Sequence, residues 1–420
     1  MSNVNHAVPN AKEYYPLNNP SIGATLSPET FPQNAKLPAL FQPLTIRGVT
    51  FNNRIFVSPM CQYSSDNGHA TEWHFVHLGG YATRGAGAIT VEATAVVPEG
   101  RISPQDAGLW TDSQIAPLKR IVDFAHSQGA KIGIQLAHAG RKASTLAPWV
   151  FASADQTHRA STWVAQESEG GWPDNVYAPS AIAYDPIHPK PKAMTEADLN
   201  RVEEAFVAAV KRSEEIGFDF IELHGAHGYL LHEFLSPLSN IREDAYGGQS
   251  LENRIRWPLS VIKSVRAVWS KPLFVRISGT DWAEGPEKGD DGLWKQWGIE
   301  QSKIFVGELE KIGVDLIDVS SAGNWAAQKI PVGPGYQVPL AEAVKKAYPN
   351  ISVGAVGFIT TAEQANDILE AGKADVVFLA KELIRTPHFP LLAAQQLGVA
   401  VKPANQYERG WMPLITPKKN

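Results

Sequence analysis

Eight short apolar runs punctuate the chain and constrain its fold more than any other feature. They are "RIFVSP" (54–59), "GAITVEAT" (87–94), "KIGIQLAH" (131–138), "FDFIELHG" (218–225), "PLFVRISG" (272–279), "LIDVSSAG" (316–323), "ISVGAVG" (351–357) and "ADVVFLAK" (374–381). Near-continuous apolar runs suit strands buried on both faces of a parallel sheet. Helical patterns fill the gaps. In "TEADLNRVEEAFVAAVKRSEEIG", Thr195 is placed as N-cap, and Leu199, Val202, Phe206, Ala209, Val210 and Ser213 form one stripe. Gly217 is placed to end the helix. "TDSQIAPLKRIVDFAHSQG" and "TTAEQANDILEAG" read the same way. Eight βα units predict an α/β fold, a single TIM (β/α)8 barrel. A doubly wound sheet is the alternative, but "RGAGAIT" lacks the third glycine of a dinucleotide fingerprint.

Two segments exceed ordinary connections. Residues 143–192, rich in Trp, Pro, Ser and Ala, follow the third strand as a capping insertion; residues 281–297 follow the fifth. Both leave C-terminal strand ends, where barrel active sites are built. Residues 1–37 read as an N-terminal arm, 38–411 as the barrel and 412–420 as a tail. The net charge of −5 and the lack of a Lys/Arg run beyond the terminal "PKKN" argue against a nucleic-acid partner. No stretch has membrane-spanning length, and the N-terminus reads as neither signal nor transit peptide. Cys61 is the single cysteine, which fits a reducing compartment, and a cytoplasmic location is expected.

Polar residues gather at the strand ends: Ser58-Pro59-Met60-Cys61 and Tyr63, Glu92-Ala93, Gln135, His138 and Lys142, His224, His227 and Tyr229, Arg276, Ser320-Ser321, Gly357, Lys381 and Arg385. His224 and His227, three apart, have a tolerable metal-ligand spacing, with Glu222 or Asp244 as a third ligand. A second reading is two capped, satisfied structural histidines; instead of either, two neutral imidazoles side by side can donate N–H bonds to one carbonyl oxygen. Arg276, inside "PLFVRIS", is too costly to bury without a partner. Its bland reading is a salt bridge with Glu222; the sharper one is a fixed positive charge beside a group that becomes negative. Gln135 is either an ordinary buried amide or a match for the edge of a heterocycle. Gly357-Phe358, followed by Thr360 or Thr361 as helix cap, and Lys381 sit after strands seven and eight, where barrels bind phosphate. Together these point towards flavin mononucleotide (FMN).

At this point the motifs match a known family. "RIFVSPMCQYSS", "VEATAV", "GIQLAHAGRKAS", "ELHGAHGYLLHEFLSPLSNIREDAYGG", "VRISGTDW", "GAVGFIT", "VFLAKELIRTP" and "YERGW" resemble the old yellow enzyme family of FMN-dependent ene-reductases. Within it, the chain looks like the thermophilic-like, class III subgroup that carries a cysteine after "SPM". The resemblance implies that Ser58, Pro59, Met60 and Cys61 run along the flavin ring system, with Cys61 tuning its potential rather than acting as a nucleophile. It places Ala93 beside the ring, Gln135 on the pyrimidine edge, and Arg276 where the reduced flavin gathers negative charge. Gly357, Phe358, Ala380 and Lys381 would hold the phosphate end, with Ala380-Lys381 standing where the family usually has Gly-Arg. His224 and His227 would bind the oxygen of an activated alkene, Tyr229 would donate a proton, Tyr63 would close the pocket, and Lys142 would lie near flavin and entrance. Arg409 would reach a neighbouring subunit's site in a homo-oligomer, a dimer or tetramer.

The expected reaction uses NADPH or NADH to reduce the flavin. The flavin's hydride then goes to the β-carbon of an α,β-unsaturated carbonyl compound, and Tyr229 protonates the α-carbon. Two other readings remain: an FMN barrel with an isomerase or regulatory role, and a metal-dependent barrel hydrolase.

Overall fold

The structure, a computed structural model, describes residue 9 and residues 17–152 and 162–418. All eight expected strands form: β1 Ile55–Val57, β2 Ala88–Ala95, β3 Ile132–Ala137, β4 Phe220–Gly225, β5 Leu273–Ser278, β6 Leu316–Ser320, β7 Ser352–Val356 and β8 Val376–Leu379. Each pairs in parallel with its neighbour in sequence. β8 closes onto β1 with Leu379 opposite Val57, so the sheet is a barrel and not a doubly wound layer. Around it run α1 Glu72–Ala82, α2 Ile115–Ser127, α3 Glu196–Ile216, α4 Leu251–Val268, α5 Ile299–Ile312, α6 Val338–Ala347, α7 Ala362–Glu370, α8 Lys381–Arg385 and α9 Phe389–Gln396.

Local chemistry sets the element ends. The Thr195 hydroxyl accepts the Asp198 N–H at the start of α3, and Gly217 ends it at φ +97°, a left-handed conformation that favours glycine. The stripe from Leu199 to Ser213 is buried, and it drives the helix onto the sheet.

Side chains alternate along a strand, so one buried run serves two cores. Val57, Ile89, Ile134, Leu223, Val275 and Val353 face outward under the helices. Phe56, Phe220, Phe274 and Phe378 face inward. With Phe51, from the hairpin Leu44–Ile46/Val49–Phe51, they fill the lower barrel; Phe220 and Phe274 stack at 4.7 Å. Gly133 and Gly354 make room for these rings, because a Cβ on either would lie 2.4 Å from Phe220 or Phe378. Above this apolar plug, the next inward positions on β3 to β6 are polar. They form the floor of the site.

Residues 17–37 dock on the same chain. Gly23 N–H donates to Lys402 O, Leu26 N–H to Ala400 O, and the Asn34 amide bridges Leu26 and Ala400. The insertion after β3 contributes a helical turn, Pro148–Phe151, and a small parallel pair, Tyr177–Ala178 with Lys192–Ala193. Residues 1–8 and 10–16 of the expected arm, 153–161 of the insertion and 419–420 of the tail lie outside the described residues.

Candidate active site

Four inward residues form a buried polar row across β3 to β6. Gln135 Nε2 donates to Glu222 Oε1 at 2.7 Å. Arg276 Nε stands 3.0 Å from Asp318 Oδ2. The bland expectation for Arg276 named the wrong partner: the strand register sets Arg276 level with Asp318, whereas Glu222 lies level with Phe274. The contact is close but off hydrogen-bond geometry, so Arg276 Nε and both Asp318 oxygens stay unsatisfied, as does Glu222 Oε2. Burial pushes both carboxyls up and Arg276 pulls both down; Asp318 raises Glu222 further. Full ionisation would leave one uncompensated negative charge in the barrel, so one carboxyl holding its proton is the cheaper state.

The end of β4 carries His224, and the turn after it carries His227 and Tyr229. His227 adopts φ 60°, and Gly228 follows at φ +68°. A Cβ on Gly228 would meet Gly323 O at 2.2 Å, so the turn sits tightly on the loop after β6. His232, from the short helix Leu230–Leu235, accepts the Gly228 N–H on Nδ1 and places Nε2 3.1 Å from Asp281 Oδ1; both side chains are wholly buried. Lys142 Nζ donates to the carbonyls of His227 and Gly323. Burial first and then Arg141 lower this lysine to about 7. The rings of His224 and His227 lie edge to face at 5.2 Å, and Tyr229 sits 5.0 Å from His224. Burial, then Arg276, holds both imidazoles well below their ordinary value, so both are neutral. His227 Nε2 is 2.7 Å from Ser320 Oγ, while His224 Nδ1 is buried with no hydrogen bond among the described residues. Burial raises Tyr229 well above its ordinary value, keeping its hydroxyl protonated.

The segment after β1 runs beside this turn. The Gln62 N–H donates to Glu92, whose other oxygen lies 2.9 Å from His74 Nε2. Glu92 stands at a register shift between Val91 and Ala93, which brings Ala93 level with Gln135. Ser58 Oγ is buried and unpaired. Cys61 is half-buried, and burial, then Asp106 and Glu92, raise its thiol well above the ordinary value, so it is protonated and a poor nucleophile. Tyr63, at φ 48°, packs edge-on against Trp149 of the insertion.

The phosphate expectation also finds a place. Gly357, Phe358, Ala380, Lys381 and Arg385 line one cleft of about 360 Å³, together with His227. Gly357 has φ +116°, which only glycine adopts easily, and a Cβ there would meet Gln337 Nε2 at 2.6 Å. These features fit FMN. Lys381 and Arg385 line the cleft together with Glu382, and among the described residues three buried atoms of the rim residues, Ser58 Oγ, Arg276 Nε and His224 Nδ1, have no hydrogen bond. Arg409 is exposed on the turn Asn405–Gly410 and forms no ion pair with any described residue, so this chain's own fold does not bring it to the site. Among the described residues, no group of three or more His, Cys, Asp or Glu is placed to hold a metal ion.

Sequence reasoning missed Asp318, Asp281 and His232 as supports of the site. A carboxylate inside "LIDVS" was the available signal for Asp318, since an acidic residue in a buried strand needs a partner. Asp281 and His232 gave none, because they meet only in three dimensions.

Comparison with known proteins agrees with this geometry. The NADH:flavin oxidoreductase / NADH oxidase family matches residues 39–399. An NADH:flavin oxidoreductase of Gibberella zeae is 48% identical over 410 residues, covering 96% of this chain and 95% of its own. An NADPH dehydrogenase of a Geobacillus species is 47% identical over 374 residues, 89% of this chain and 98% of that one. Among solved structures, morphinone reductase superposes with a TM-score of 0.67 at 25% identity, over 88% of this chain and 93% of that chain. The barrel, its cofactor-shaped cleft and these likenesses have one conclusion: the chain belongs to the NADH:flavin oxidoreductase / NADH oxidase family, as an FMN- and nicotinamide-dependent oxidoreductase of the old yellow enzyme type.

Proposed function

We propose that the enzyme reduces the activated C=C bond of α,β-unsaturated carbonyl compounds. The observation that carries this reading is Tyr229, its hydroxyl protonated and its ring 5.0 Å from the neutral ring of His224, whose Nδ1 has no hydrogen bond among the described residues. When bound, FMN supplies the hydride, which it takes from NADPH or NADH and gives to the β-carbon. This chain's residues do the rest. His224 and His227 donate N–H bonds to the substrate oxygen, which exchanges places with Ser320 as the partner of His227. Being neutral, the imidazoles stabilise developing negative charge without giving up a proton to it. Tyr229 delivers its hydroxyl proton to the α-carbon; a phenol kept above its ordinary pKa holds that proton until an enolate-like carbon arrives. Arg276, the fixed cation of the polar row, would hold the pyrimidine side of FMN, and Lys381 with Arg385 would hold its phosphate. Arg409 is proposed to act in the site of a second copy of the chain.

The test is a pair of anaerobic half-reactions on the yellow holoenzyme. NADPH or NADH should bleach the flavin, and cyclohexenone should restore its colour. Tyr229→Phe should bleach normally but recover about 100- to 10,000-fold more slowly, the usual contribution of a positioned proton donor. Recovery at the wild-type rate would remove Tyr229 from the mechanism.

A further inference from the structure

The insertion after β3 builds a second wall over Tyr229. Between it and the barrel rim lies a chamber of about 300 Å³, at the lower end of the size of small-molecule sites. Tyr63 and Tyr229 come from the rim; Leu146, Trp163, Tyr184 and His188 come from the insertion. The aromatic walls are braced from behind. Trp163 stacks on Phe151 at 3.9 Å and 20°, and Tyr63 leans on Trp149 at 5.5 Å. Such surfaces favour a flat ring. Lys142 Nζ lies 4.2 Å over the face of Tyr184, and the Arg141 guanidinium 5.6 Å from it, which disfavours a cationic ligand.

Lys142, Thr145, Asp185 and His188 add polar groups to these walls. His188 Nδ1 is 2.6 Å from Asp185 Oδ1, and Asp185 also accepts the Ile187 N–H. The imidazole is boxed between Tyr184, edge-on at 5.0 Å, and Trp163, near-parallel at 6.2 Å. With Nδ1–H committed to Asp185, the free ring atom is Nε2, which has no hydrogen bond to any described residue. The geometry points to a subsite in which His188 Nε2 accepts a hydroxyl donor at the far end of a planar, uncharged aryl enone whose alkene lies at Tyr229. Burial lowers His188 despite its carboxylate partner, which keeps the ring neutral and Nε2 an acceptor. The inference rests on the ene-reductase reading and adds the substrate class. Nothing in the spacing of "YDPIHP" announced it, because the Asp–His couple gains meaning only where the insertion folds back over the rim.

The experiment uses FMN-loaded enzyme and two substrates: para-(hydroxymethyl)benzylideneacetone and its methyl ether, with cyclohexenone as reference. Wild type should prefer the alcohol by roughly 3- to 10-fold in kcat/KM, carried by KM, as one neutral hydrogen bond allows. His188→Phe should bring the ratio to about one, and His188→Gln, which retains an acceptor, should recover part of it. Titration of the oxidised enzyme with the saturated alcohol and ether, followed by the flavin spectrum, reads the same preference without turnover. If cyclohexenone is reduced but alcohol and ether are equivalent, or the preference survives His188→Phe, the subsite is refuted and the ene-reductase reading stands. If NADPH bleaches the flavin and none of the three enones restores it, both fall together.

Discussion

Arg276→Met probes the polar row directly. Arg276 stands beside two wholly buried carboxyls, Glu222 and Asp318, and contacts the second at 3.0 Å. Removing one member of a buried ion pair usually costs about 3–5 kcal/mol, because its partner is left charged in a poor solvent. The loss here should depend on pH with a definite sign. Burial already raises both carboxyls, and the arginine opposes that shift. Without the arginine both rise further, so the folded variant binds one more proton than the folded wild type over a wider pH window. The unfolded chain is ionised above about pH 4 in either case. A proton held only in the folded state lowers stability by about 1.4 kcal/mol for each unit of rising pH. The penalty should therefore be full near about pH 8 and up to about 3 kcal/mol smaller near about pH 5.5. Urea unfolding of the FMN-stripped protein at the two pH values measures it, free of any ligand contribution. A penalty under about 1 kcal/mol at the higher pH, or one equal at both, would mean that the row is not the electrostatic unit described here.

Other outcomes follow from single contacts. Lys142, lowered to about 7 by burial and Arg141, binds fewer protons folded than unfolded between that value and its ordinary 10.5, so it makes stability rise with pH across that window. Lys142→Met should flatten that rise, measured by urea midpoints of the apoprotein. Lys381→Ala should weaken FMN binding by roughly 10- to 100-fold, the range for a charged hydrogen bond, read from the fluorescence of released flavin. Phe274→Ala, opening a hole in the stack beneath the row, should cost about 3–5 kcal/mol without changing flavin colour.

The barrel was legible because its strands are wrapped on both faces, so each run is mostly apolar and stands out from the helical stripes. Individual partners were less legible. The sequence puts Arg276 inside a strand, but the shear of a closed barrel decides whether it lies level with Glu222 or Asp318. The histidine turn shows the same limit. "HGAHGY" supplies the rings and the glycines, whereas His227 at φ 60° and its bond to Ser320 come from Gly228 seated against Gly323 and from His232 held by Asp281. Gly323 and Asp281 lie many residues away and leave no periodic trace.

Chemistry and selection are built on different parts of the fold. The polar row and the histidine turn hang on strands, close-packed glycines and wholly buried pairs, so any shift there must disturb the barrel. The chamber over Tyr229 is walled by an insertion that touches the loops of the barrel rim, through Tyr63 on Trp149 and through hydrogen bonds such as Trp172 Nε1 to Glu99 O. Change in that wall leaves the phenyl plug and the row untouched. On the proposed reading, specificity can vary in this wall without rebuilding the reacting groups, and the couple of Asp185 with His188 is the polar element it offers a substrate.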